Sequence, residues 1–358
     1  MRSGIAGCVE DQIVVAPQPS STRPPHIIST VGLIGLGQMA SDNHLPILAE
    51  LGVRPVWYID QSAEKWATIG RHYGGRLFSP DVEFAALPSV DLVLISSPYG
   101  SRARYLKDLA RLQTHCAIYI EKPIALTSPE HGRIAALRSD YMVAAGFNKR
   151  SIGKLQFIRE AVANGLFGDL RRCAIYFGGV GIKTGGRYLG DLELAGGGML
   201  FEVGVHYIDA VNYVLTAQSC EVLNARMIFD HGFEIHTVGE YLLTGPFGNT
   251  RCNLTASVIA DVGNRMEFIF DHVALSTSLF SNELTLTSSN SQFSMPLELP
   301  RDYQIPDTGI TSLCAHWRDF LQGIRDAKSN YTNLCNCRVT TQVIEGLYTH
   351  SGRQLCSE

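Results

Sequence analysis

Glu202 and His206 stand four residues apart in a segment that opens on three consecutive glycines, Gly196 to Gly198. The segment from Ala195 to Asp209 reads as a helix. Residues at that spacing lie one above the other on a single helical face. A carboxylate beside an imidazole holds one tautomer and raises its basicity, which suits proton transfer near neutral pH. A second chemical element is Glu121-Lys122-Pro123. A lysine at the end of a parallel strand points its ammonium into the cleft there, and the proline stiffens the departing loop. Such an ammonium polarises a substrate oxygen and stabilises developing alkoxide charge. Taken alone, either element fits a blander reading, a chance helical pair or a surface Lys–Glu neighbour pair.

The elements that position them favour the chemical reading. Ile27 to Ile34 is β-branched and apolar, as expected of a strand buried on both faces. It runs into Gly35-Leu36-Gly37-Gln38-Met39-Ala40 and then a helical stretch to about Leu51. Strand, glycine turn and helix in that order form a dinucleotide fingerprint. Gly35 permits the turn, Gly37 lets a pyrophosphate approach, and Ala40 lets helix and strand pack closely. Gln38 and Met39 complete the turn, and the pyrophosphate sits on the helix N-terminus. The next strand, Val56 to Asp60, ends in the acid expected to accept hydrogen bonds from the adenosine ribose. No arginine follows it to receive a 2′-phosphate, so NAD is expected over NADP. The alternative is that Asp60 only caps the next helix. Asp91 to Pro98 is a further buried strand, whose end places Ser97, Pro98 and Tyr99 at the cofactor crevice. Strands at Ala117–Pro123, ending in Glu-Lys-Pro, and at Tyr141–Phe147 complete a parallel, doubly wound sheet.

Composition bounds the rest. A chain of 358 residues, 45% apolar and 18% charged, is read as two soluble domains. The net charge of -4 gives no sign of a nucleic-acid or anionic-membrane partner. No apolar run is long enough to span a bilayer. Nine scattered cysteines without paired C-x-x-C units, and dispersed histidines, point to no metal site and to reduced thiols in a cytoplasm. Residues 1–26 read as a flexible, proline-containing lead-in and not as a secretory signal.

Together the motifs Gly35–Ala40, Asp60, Ser97-Pro98, Glu121–Pro123, Gly146–Arg150 and Gly196–His206 resemble the Gfo/Idh/MocA family, named for glucose–fructose oxidoreductase, inositol dehydrogenase and a rhizopine-catabolism oxidoreductase. The resemblance runs from about Ile27 to the end. It implies an α/β Rossmann domain over 27–148. It also implies an α+β substrate domain over 149–358, with an open, mostly antiparallel sheet that often forms subunit contacts, hence a homo-oligomer, dimer or tetramer. It implies that Lys122 borders nicotinamide and substrate and that His206 donates or accepts the proton. By the same resemblance Glu121 lies near the cofactor ribose or nicotinamide, and Asn148 and Arg150 near the mouth of the site. Two departures stand out: Glu202 where many members carry Asp, and Tyr99 and Arg102 where many carry Asn and His. Arg102 is expected to meet an anion or to face solvent.

Beyond His206 the helix is read as running to about Leu215. Six strands follow, at 221–231, 236–244, 250–259, 265–270, 274–280 and 283–287, as a run of hairpins. Residues 295–306 read as an irregular connector, and 310–326 and 339–350 as closing helices. His44 is expected to pack or cap. Tyr188, Arg187 and Lys183 lie in a glycine-rich loop placed to cover a substrate. The expected activity is interconversion of a secondary alcohol and a ketone on a sugar, amino sugar, nucleotide sugar or cyclitol, with NAD(P). Two alternatives stand beside it: an NADPH-dependent imine or enone reductase, and a non-catalytic nucleotide- or sugar-sensing protein.

Overall fold

The computed structural model describes residues 26–111, 116–180, 191–290, 293–303 and 309–355. The lead-in up to Pro25 and the loop bearing Lys183, Arg187 and Tyr188 lie outside the described residues.

Six parallel strands form the first sheet: β1 (Thr30–Ile34), β2 (Arg54–Ile59), β3 (Arg76–Phe78), β4 (Leu92–Ile95), β5 (Ala117–Ile120) and β6 (Val143–Ala145), in the order β3-β2-β1-β4-β5-β6. β4 and β5 are buried at every position, because helices cover both faces. The order reverses between β1 and β4, so their C-terminal ends flank a crevice. Helices α1 (Leu45–Glu50), α2 (Ala63–Tyr73), α3 (Arg102–Arg111) and α4 (Ser128–Ala135) connect the strands. A wide π turn, Ala40–His44, leads directly into α1.

The second sheet has eight strands: β7 (Leu170–Gly178), β8 (Ser219–Asp230), β9 (Phe233–Gly245), β10 (Gly248–Ser257), β11 (Arg265–Phe270), β12 (Val273–Thr277), β13 (Leu284–Ser288) and β14 (Ser294–Pro296). Their order is β14-β13-β12-β11-β7-β10-β9-β8. This corrects the expectation of an unbroken run of hairpins. β7 lies between β10 and β11, parallel to β10 and antiparallel to β11. β7 enters the chain before the helix that bears His206, and its alternation is short. Only the sheet's demand for partners on both sides identifies it as central. Met295, expected in a connector, forms the edge strand β14 against β13.

Helices α5 (Gly153–Ala163), α6 (Leu192–Ala195), α7 (Val205–Leu215), α8 (Ile310–Asp326) and α9 (Leu334–His350) complete the chain. α9 begins five residues before the expected 339, where the Asn333 side chain accepts from the Asn336 amide. α7 and α9 lie against the second sheet, and α5 packs on α7. α8 behaves differently. Its stripe Leu313, Trp317, Phe320, Leu321 and Ile324 has helical spacing and is buried with Leu33, Leu92, Leu94 and Tyr119 of the first sheet. A helix from the far end of the chain thus closes one face of the dinucleotide-type sheet.

Candidate active site

The fingerprint turn is built as its residue types require. Gly35 has φ +92°, and a Cβ there would lie 2.7 Å from the Ser97 amide nitrogen on the neighbouring strand end. At Gly37 a Cβ would meet nothing within 4 Å. That open space lies at the start of the helix, where unpaired amides and the dipole favour an anion. The residues present therefore fit a dinucleotide pyrophosphate. Asp60 follows β2, and its carboxylate accepts from the Leu36 amide at 2.7 Å and the Ser62 amide at 2.8 Å. Asp60 therefore braces the glycine turn, while Ser62 serves as N-cap of α2.

Glu121 and Lys122 leave the end of β5. The Glu121 carboxylate is buried and receives His44 Nε2 at 2.9 Å. Burial alone would raise its pKa. The hydrogen bond from His44, together with the charges of Lys122 and Arg102, more than offsets this and holds it below the ordinary value. Arg102 does not face solvent; it lies within the field of the Glu121 and Glu130 carboxylates, and its hydrogen bonds go to carbonyls. Its buried guanidinium donates to the carbonyls of Ser97 (2.8 Å), Pro123 (2.6 Å) and Glu121. One side chain thus ties the ends of β4 and β5 together, and burial draws its pKa down to about 10. The Tyr99 hydroxyl donates to Glu130 of α4 at 2.7–2.8 Å.

Lys122 Nζ donates to the Glu202 carbonyl at 2.7 Å, joining the strand-end lysine to the helix that bears His206. Burial lowers the lysine's pKa, against the opposing charges of Glu121 and Glu202. His206 follows the same principle more strongly. Burial pushes its pKa well below the ordinary value, and the cations of Lys122 and Lys149 push it further. The expectation that the neighbouring carboxylate raises the imidazole's basicity is therefore overturned. Residues 200–204 also form a π turn and not the regular helix on which the Glu202–His206 spacing was argued. Both helices at the crevice start with such a turn, a feature that concentrates at functional sites. His206 Nδ1 is buried and has no hydrogen-bond partner among the described residues.

What holds the start of the His206 helix is Glu234 of β9, a residue the sequence reading did not single out. It is 1% exposed, and accepts from the amides of Gly198 (2.7 Å) and Leu200 (2.8 Å) and from the Tyr348 hydroxyl. A Cβ on Gly198 would lie 2.8 Å from this carboxyl, which explains the third glycine. Burial raises the Glu234 pKa, although its three donors oppose the rise.

Arg150 is a correction. It is 2% exposed and makes a two-pronged ion pair with Asp209 of α7 (2.8 and 2.6 Å), with further bonds to the carbonyls of Tyr331 and Asn336. Its guanidinium is sealed away from any substrate. It anchors the 148–151 turn to the His206 helix. Asn148 likewise donates to Ser312 of α8 at 3.1 Å. The cation of this turn that acts on His206 is Lys149. Among the described residues no group of three or more His, Cys, Asp or Glu side chains is placed to hold a metal. No helix among them is long and apolar enough to cross a membrane.

Comparison with known proteins agrees with this layout. Residues 29–144 match the GFO/IDH/MocA oxidoreductase family with its NAD-binding Rossmann fold, and residues 155–275 match the GFO/IDH/MocA C-terminal domain. D-glucoside 3-dehydrogenase of Escherichia coli K12 is 30% identical over 231 residues, a stretch spanning 61% of this chain and 61% of that relative. Among solved structures, aldose-aldose oxidoreductase of Caulobacter crescentus superposes with a TM-score of 0.72 at 19% identity, covering 90% of this chain and 97% of that one. A 3-ketoreductase of Actinomadura kijaniata, solved with NADP, gives 0.73 at 18% identity, covering 94% and 100%.

Proposed function

Since the chain belongs to the GFO/IDH/MocA oxidoreductase family, we propose that it is a dehydrogenase or reductase interconverting a secondary alcohol and a ketone on a sugar. The observation that carries this reading is the convergence of Lys122 and His206. The Lys122 ammonium is bonded to the Glu202 carbonyl four residues before His206, and its charge acts on the imidazole. The relative's name, a glucoside 3-dehydrogenase, supports a sugar over a cyclitol or a non-sugar imine.

The nicotinamide, when bound, accepts or returns a hydride. The chain's own residues handle the rest. Gly35, Gly37, Gln38 and Met39 would hold the pyrophosphate, and Asp60 the ribose, with Ser97 and Pro98 at the crevice wall. His206, neutral because its pKa is depressed, is ready to take the hydroxyl proton of an alcohol. Lys122 carries three donors, of which the Glu202 carbonyl takes one. The others are available to a substrate oxygen, where they stabilise its growing negative charge. In the opposite direction His206 returns the proton. Glu202 sets the position of Lys122 through its carbonyl and contributes a carboxylate near the ammonium. NAD is the preferred cofactor in this reading, because a carboxylate at Asp60 repels a 2′-phosphate. Tyr188, outside the described residues, remains proposed as a substrate contact. We further place the protein in the cytoplasm as a homo-oligomer built through the second sheet.

The experiment is a panel of glycosides, free sugars, nucleotide sugars, cyclitols and cyclic imines, read by nicotinamide absorbance with NAD and NADP. Turnover of sugars is expected. Turnover confined to imines overturns the proposal.

A further inference from the structure

Phe280 is 64% exposed, yet the loop that carries it is held rigidly. Lys154, 2% exposed at the start of α5, donates to the Ser278 carbonyl at 2.5 Å and to the Ser281 carbonyl. The Ser278 hydroxyl accepts from the Phe280 amide at 3.2 Å, and that of Ser281 from the Glu283 amide at 3.0 Å. Burying an ammonium is costly unless hydrogen bonds compensate. Here that cost goes into fixing a surface loop whose tip is an apolar ring in water.

The topology places that tip at the catalytic end of the second sheet. β7 runs toward Gly178, β11 starts opposite Tyr176, and β12 returns alongside β11 to end at Thr277. The 278–283 loop therefore emerges where β7 ends. Two contacts tie the ring to the catalytic helix and the 148–151 turn. It packs edge-on against Tyr207, the neighbour of His206, with centroids 6.1 Å apart. Lys149 Nζ lies 5.6 Å from its centroid and donates to the Leu279 carbonyl at 3.4 Å. The charge of that same lysine acts on His206. The 148–151 turn thus neighbours both groups: Phe147, just before it, packs edge-on against His206 at 6.2 Å, and Lys149 lies over the exposed ring.

We infer that Phe280 is the floor of an outer subsite that stacks on the C–H face of a second ring, the aglycone side of a glycoside whose first ring reacts beside His206. The proposal rests on the sugar reading above. A pyranose presents axial C–H groups on one face, and an exposed aromatic face removes that surface from water. Lys149, whose Nζ lies over one side of the ring 5.6 Å from its centroid, is placed to donate to hydroxyls of a unit stacked on the other side.

The test is direct binding to the full-length protein with NADH present, by calorimetry, comparing cellobiose with glucose and requiring no turnover. Phe280→Ala is expected to weaken cellobiose about tenfold and to leave glucose within about twofold, with Phe280→Tyr restoring cellobiose. If Phe280→Ala leaves the ratio of the two affinities unchanged, the subsite is overturned while the sugar reading stands. Binding of neither saccharide to the wild-type protein overturns the subsite, while the sugar reading is decided separately by the turnover panel. A fall in oligomer mass on Phe280→Ala with the ratio unchanged makes the ring a subunit contact and also overturns the subsite.

Discussion

Trp317 donates its indole Nε1–H to His44 Nδ1 at 3.0 Å. An indole only donates, so Nδ1 is the accepting nitrogen and the imidazole proton sits on Nε2, facing Glu121 at 2.9 Å. A residue of the late helix α8 thereby sets the tautomer of a residue in the fingerprint helix, which in turn holds the carboxylate beside Lys122. Removing the imidazole leaves that buried carboxylate short of a donor. His44→Ala should cost about 1–3 kcal/mol of stability, read by denaturant unfolding. Trp317→Phe removes only the indole donor and should cost less. Equal losses would show that packing, and not the hydrogen-bond chain, carries the effect.

Lys122→Ala and His206→Ala should each lower kcat by about 10²–10⁴ while NADH binding, followed by fluorescence, stays near normal. Near-normal turnover in both variants would remove the pair from the mechanism.

The pH profile follows from the depressed His206. Its folded-state pKa lies below the ordinary value of 6.5. The unfolded chain therefore binds more protons than the folded one as pH falls through and below 6.5, and this residue's contribution to stability is lost in that window. For the same reason the acidic limb of kcat/KM should lie below pH 6.5. Lys149→Met removes a cation that disfavours the imidazolium, so the limb should move to higher pH. A limb that stays in place or moves lower would separate Lys149 from His206.

Glu234 caps the start of the catalytic helix with both carboxylate oxygens. Glu234→Ala should speed amide exchange at Gly198 and Leu200 and depress kcat, with a smaller effect on KM. Glu234→Gln, keeping one accepting oxygen, should recover part of both. Unchanged exchange at these two amides would deny Glu234 its positioning role.

Asp60→Ala should narrow the preference for NAD over NADP, measured as the ratio of kcat/KM for the two cofactors. The ratio separates this effect from the loosening expected when the Leu36 and Ser62 amides lose their acceptor. An unchanged ratio would leave Asp60 with the bracing role alone.

Local pattern was enough for the elements whose signal is local. Strand–glycine–helix at Gly35–Ala40, the buried strands β1, β4 and β5, and the bounds of α8 were all legible, because burial on two faces and helical periodicity are written in consecutive residues. So were the positions of Lys122 at a strand end and of His206 on a helix, since residue type and motif order carry that information. What depends on partners far along the chain was not. Arg150 looked like a substrate cation until Asp209 appeared within 2.6 Å of it. Arg102 looked free until three carbonyls closed on it. Glu234 carried no motif at all. The direction of the His206 shift was also undecided by its own helix. Desolvation and the nearby ammoniums of Lys122 and Lys149 set it, and both depend on how the two sheets and their helices pack. The sequence by itself determined the family motifs, their order and the local elements that carry Lys122 and His206. The tertiary structure decided their charge state and which apparently reactive side chains serve only to hold them, because burial and long-range hydrogen bonds exist only once the chain has folded.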